Sequence, residues 1–180
     1  MDSGNRRIVR LNSDGQRLGV WTDERFERPH TAVSVGDSLY VTDTTAHCIW
    51  RIVGSGNAHL FFGELGGAEG ELNGPRGIAS TSDGQWVVVD GGNRRIVVHD
   101  ANGRFVREWS LRDSVSPRHV VIDGTDTIHV SDAPAGRVWA FSTRGELLGE
   151  HVPTHAQSTL PTIRVLSLDA RGDVVVALRA

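Results

Sequence analysis

Basic side chains return at one position of this chain about every 44 residues. His30, Arg76 and Arg118 each follow a proline, namely Pro29, Pro75 and Pro117. Arg164 follows Ile163 where the pattern comes round again; anchoring on Pro161 instead would put Thr162 there. Three guanidiniums and an imidazole brought to one axis would make an anion site. Each arginine offers a planar fork of donors that matches a carboxylate or a phosphate. The competing reading is that these arginines pair with carboxylates in the connecting loops, where Glu24, Glu27, Glu71 and Asp113 stand. They would then be satisfied ion pairs with no ligand role.

Other chemistry has weaker support. All 19 basic residues are arginine, as coding bias in a GC-rich, bacterial type of genome would produce. The chain therefore holds no lysine for a Schiff base or general base. Cys48 is the single cysteine, so no intrachain disulfide forms; at the start of a strand it reads as a small core residue. A catalytic zinc needs about three converging ligands. His119 lies one residue off the basic position and is expected to point elsewhere, and His129 lies within a strand. His47, His59, His99, His151 and His155 fall in turns or outer strands. Glu64, Glu69 and Glu71 do not have the spacing of a calcium loop. Asp43, Asp90 and Asp132 recur once per repeat and are expected to accept from free amides of the turn that follows them. Trp50 and Trp139 share one repeat position, where core packing is expected and stacking of a ligand is the alternative.

The elements that must hold these residues are short strands. Three copies stand in full, over 29–62, 75–109 and 117–151. A fourth is split: its second half, 2–21, opens the chain and its first half, 163–179, closes it. The copy over 75–109 reads as four strands, Gly77–Ser80, Gln85–Asp90, Arg95–Asp100 and Arg104–Trp109, with Gly84, Gly91, Gly92 and Gly103 in the turns. The second strand is apolar throughout, as one buried on both faces should be, and the fourth alternates as an outer strand should. No stretch has helical periodicity. Units of this length with four short strands predict an all-β propeller of four-stranded antiparallel blades, about four in number, in one domain over 1–180.

The run from Gly63 to Ala79, followed by Asp83-Gly84 and by Val88-Val89-Asp90-Gly91-Gly92-Asn93-Arg94-Arg95-Ile96, resembles the NHL repeat. Asp2-Ser3-Gly4-Asn5-Arg6-Arg7-Ile8 repeats its second half, whereas Thr45-Ala46-His47 and Pro134-Ala135-Gly136 replace the Asn-Arg pair in the other copies. The resemblance covers essentially the whole chain. It implies a propeller that is usually six-bladed, which leaves three readings: a section of a longer propeller, two chains joined as a homodimeric ring, or a closed four-bladed monomer. Pro29-His30 also resembles the Pro-His pairs through which propeller lyases of the peptidyl-hydroxyglycine type present zinc, and the Pro-His-Gly segments of virginiamycin-type lyases.

Two functions follow as expectations. The first is a binding or scaffold module without a cofactor that holds an anionic small molecule, an anionic peptide or a partner protein at the channel mouth through His30, Arg76, Arg118 and Arg164. The second is a lyase or lactone hydrolase with a divalent metal, zinc or calcium, at the channel. A net charge of −3 points away from nucleic acid. No membrane span and no signal peptide are visible, so the chain reads as cytoplasmic as it stands and as exported if it is part of a longer protein.

Overall fold

The computed structural model describes residues 1–152 and 162–179. After a single turn of 3₁₀ helix at Ser3–Asn5, sixteen strands follow in order. They are β1 (Arg7–Leu11), β2 (Arg17–Thr22), β3 (Pro29–Val35), β4 (Ser38–Asp43), β5 (Cys48–Val53), β6 (Ala58–Phe62), β7 (Pro75–Ser80) and β8 (Trp86–Asp90). The second half comprises β9 (Arg95–His99), β10 (Phe105–Ser110), β11 (Pro117–Ile122), β12 (Ile128–Asp132), β13 (Arg137–Phe141), β14 (Leu147–His151), β15 (Thr162–Leu168) and β16 (Val174–Arg179).

Three four-stranded antiparallel sheets, β3–β6, β7–β10 and β11–β14, are the full blades. First strands of successive blades touch: β3 meets β7, β7 meets β11, and β11 meets β15. The first strands are therefore innermost and the fourth strands outermost, the order expected of a propeller.

The split copy folds as two separate two-stranded sheets, β1–β2 and β15–β16. Among the described residues strand β1 pairs only with β2, and β16 only with β15. Among the described residues the two end sheets do not pair with each other, so the split copy does not form a closing blade. The reason is geometric. Four repeats supply the right strands for a closing blade, but closure also needs their packing angle to bring the two ends together.

Burial explains the strand types. Val87, Val88 and Val89 of β8 are fully buried, and alternate side chains enter opposite interfaces. Val88 packs with Tyr40, Ile49 and Phe62 of the preceding blade, whereas Val87 and Val89 pack with Val120, Val130 and Trp139 of the next. The outer strand β10 alternates half-buried and exposed residues along its length.

The turn between second and third strands uses a left-handed residue in every copy: Arg6 (φ 52°), His47 (φ 57°), Arg94 (φ 52°) and Gly136 (φ 62°). Beyond that turn, the buried Arg95 holds the glycine-rich loop down. Its guanidinium donates to Asp90 at 2.9 Å, to Glu108 at 2.7 Å, and to the carbonyls of Gly67, Ala68 and Glu71 at 2.8–3.1 Å. Asn93 adds a bond to the Gly66 carbonyl at 2.8 Å. The signature residues of the repeat are thus occupied with structure, and the loop carbonyls face a cation that is already part of the protein.

Candidate functional site

The basic position of each repeat lies in a β-bulge of the innermost strand. The pairing of β3 with β4 breaks between Pro29 and Thr31, leaving out His30. That of β7 with β8 breaks between Pro75 and Ile78, leaving out Arg76 and Gly77. That of β11 with β12 breaks between Pro117 and Val120, leaving out Arg118 and His119. In β15 the break falls between Ile163 and Val165, at Arg164. Proline at the head of the strand lacks the donor that would continue the ladder, and a bulge frees the residues that follow from strict alternation.

The bulges of adjacent blades are pressed together. A Cβ built on Gly77 would lie 2.8 Å from the Val120 amide and 3.1 Å from the Arg118 carbonyl, so only glycine allows the approach. The Thr42 hydroxyl donates to the Arg76 carbonyl at 2.7 Å and accepts from the Thr31 amide at 3.0 Å.

His30, Arg76 and Arg118 come together in this region, and His119 joins them. The rings of His30 and His119 are 6.2 Å apart between centroids, tilted by 34°. Burial pushes His30 below the usual imidazole range, and the charges of Arg118, Arg76 and Arg28 push it further, against a raising interaction with the Arg76 backbone. Burial, followed by His30, Arg118 and Arg76, pushes His119 down to about 4. Burial and the neighbouring charges of Arg118 and Arg28 lower Arg76 as well. The expectation that His119 points elsewhere is corrected: a two-residue bulge places both Arg118 and His119 outside the alternation. Arg28 is the other member that reading by repeat position missed. The available signal was the proline-headed strand itself, where a period of two should not be assumed.

The side chains of Arg76 and Arg118 make no ion pair among the described residues. Arg118 Nε is buried with no hydrogen-bond partner. Arg76 lies over Gly91, where a Cβ would be 2.9 Å from its Nε. None of Glu24, Glu27, Glu71 and Asp113 takes the role of counter-ion; Glu71, for one, accepts from the Ala68 amide at 2.8 Å. Arg164 is exposed on β15 and joins no interaction of the group.

The aspartates that end the second strands have a different main role from the one expected. Asp90 and Asp132 accept from amides of the segment that leads into the first strand, Asn73 at 2.7 Å and Ser116 at 3.1 Å. Asp43 accepts from Glu27 and Arg28 at 2.8 Å each, and only secondarily from the turn amides of Thr45 and Ala46. They anchor the approach to the bulge. Cys48 is buried and its thiol is pushed up to about 12, chiefly by burial, which suits a core residue. Trp50 and Trp139 are buried rather than presented for stacking. His129 is buried against Asp123 at 2.8 Å, and His155 lies outside the described residues. Among the described residues no group of three or more His, Cys, Asp or Glu side chains is placed to hold a metal ion. No helix of the described residues is long and apolar enough to cross a membrane.

No family model matches the chain. Among curated proteins it is 42% identical over 60 residues to RING finger protein nhl-1 of Caenorhabditis elegans, a match over 33% of this chain and 6% of that protein. It is 28% identical over 125 residues to protein brain tumor of Drosophila melanogaster, 66% of this chain and 12% of that one. The chain thus spans a small part of the curated relatives it matches. Among solved structures, a streptogramin B lyase superposes with a TM-score of 0.71 at 14% identity, over 98% of this chain and 63% of the lyase. The WD40 β-propeller domain of Doa1 superposes with a TM-score of 0.67 at 14% identity, over 91% of this chain and 51% of that one. At these identities the structural likeness speaks for the fold alone.

Proposed function

Because the chain is built of NHL-type repeats folded as propeller blades, we propose that it is a binding module whose bulge cluster holds an anionic group of a small molecule, peptide or partner protein. The observation that carries this reading is the pair Arg76 and Arg118. Both are half-buried, neither has a carboxylate partner among the described residues, and Arg118 Nε is buried and unpartnered. Like charges gathered in a partly desolvated place are unfavourable until an anion enters. His30 and His119 line the same place as uncharged imidazoles near neutral pH. Arg164 is outside this reading, since its side chain is exposed.

The test is calorimetric titration with a dicarboxylate and with an acidic peptide. Replacing Arg76 and Arg118 together by alanine should abolish binding, with a loss on the order of 2–4 kcal/mol for buried bidentate contacts. Unchanged affinity in the folded double variant would overturn the proposal.

The second reading, a lyase or lactone hydrolase, draws on the His30–His119 pair beside the guanidiniums, since an imidazole can move a proton where an arginine stabilises the resulting oxyanion. A divalent metal in that role would have to bind beside Arg76 and Arg118, whose charges repel it. Turnover of a lactone that disappears in His119→Ala and falls sharply in Arg118→Ala would favour this reading over simple binding.

A further inference from the structure

The hydrogen bonds around His119 determine what kind of anion the cluster suits. Ser131 is fully buried, and its hydroxyl accepts from the His119 amide at 3.0 Å. A buried hydroxyl must also donate, and the atom in reach is His119 Nδ1 at 3.3 Å. A neutral imidazole that accepts at Nδ1 carries its proton on Nε2, on the other side of the ring. His119 therefore presents an N–H rather than a lone pair. His30 sets Nδ1 against the Thr31 hydroxyl at 3.0 Å, and its ring also engages the Arg76 backbone. With the guanidiniums of Arg76 and Arg118, the cluster offers donors, carries at least two positive charges, and has no carboxylate partner among the described residues.

Such a set selects against any ligand proton, because a proton would face a donor and leave both unsatisfied. It also favours two negative charges over one. A monoanion would leave one guanidinium uncompensated in a partly desolvated place. The separation fits a single compact group. With N–H···O contacts of about 2.8 Å on either side, one tetrahedral oxyanion can bridge donors several ångströms apart, and the imidazole centroids are 6.2 Å apart.

Resting on the anion-binding reading, we propose that the cluster of Arg76, Arg118, His30 and His119 is a site for a dianionic tetrahedral oxyanion, a phosphate monoester above all, and discriminates against monoanions. Phosphate diesters and monocarboxylates, each singly charged, are then poor ligands.

The experiment titrates the folded protein at pH 8 with phenyl phosphate, phenyl sulfate and benzoate, which share a ring and differ in charge and head-group. Phenyl phosphate is the dianion and should bind at least about tenfold more tightly than either monoanion, as one further charge-assisted contact allows. The preference should persist in His119→Gln, which keeps an N–H at similar reach, and shrink in His119→Leu. Equal affinity for all three probes, lost in Arg118→Ala, would leave the anion-binding reading standing and overturn the dianion preference. Binding of none of them to folded protein would overturn both. A preference unchanged in His119→Leu would remove His119 from the site.

Discussion

His30 and His119 face each other with ring centroids 6.2 Å apart, although a whole blade, β7–β10, separates them in the chain. Their meeting is a product of the bulges that free both residues from strand alternation, and it puts two imidazoles among arginines.

That placement predicts a stability that falls on acidification. His119 is held at about 4, mainly by burial, and His30 is lowered for the same first reason. His99, buried against Phe62 at a centroid distance of 4.0 Å, is also pushed down to about 4. The unfolded chain takes up these protons near pH 6.5, the ordinary imidazole value. Between roughly pH 6.5 and 4 the unfolded state binds more protons than the folded one, so stability rises with pH and is lost as pH falls. Urea denaturation at steps across that range should show the slope. His99→Phe should flatten it while keeping the ring stacking; a slope identical to the parent would remove His99 as a source.

Arg95 should be the most sensitive charged residue in the chain. Its guanidinium joins Asp90, Glu108 and three loop carbonyls at 6% side-chain exposure. Arg95→Met strands the fully buried Asp90 carboxylate without its cation, at a cost of about 3–5 kcal/mol. The glycine-rich segment 63–74 should then become the first site of limited proteolysis. Wild-type denaturation with no new cleavage there would contradict the latch.

Gly77→Ala tests the pressing together of blades. The added methyl meets backbone, not a side chain that can swing away, at 2.8 Å from the Val120 amide. A loss of about 1–3 kcal/mol is expected from overpacking. Because Arg118 and His119 flank the contact, affinity for an anion should drop too. Gly67→Ala, with nothing near its Cβ, is the control and should be neutral.

The 180-residue chain should self-associate. Among the described residues strands β1 and β16 each leave one edge without a partner, and apolar residues such as Val165 and Val175 stand half-exposed on the last sheet. Light scattering should report a mass above the 19.6 kDa of one chain, and Val175→Lys should reduce it. A strictly monomeric parent would mean that these edges are protected in some other way.

Much of the architecture was legible in the residues. The valine run of β8 announced a strand buried on both faces, the alternation in β10 an outer one, and the glycines at 84 and 103 the turns, with φ of 84° and 81°. These are local properties, and each repeat restates them. The proline-headed strands likewise marked His30, Arg76 and Arg118 as equivalent. What lay beyond the sequence was non-local. Whether β1 and β16 meet depends on the packing angle accumulated over all the blades, and no single repeat encodes it. His119 entered the cluster because the β11 bulge leaves out two residues and a bulge cancels the parity on which strand reading rests, whereas Arg164, in a one-residue bulge like that of His30, is exposed. That Arg76 and Arg118 have no carboxylate partner among the described residues was also a tertiary outcome. Glu24, Glu27, Glu71 and Asp113 were near enough in sequence to serve, and the fold directs them elsewhere.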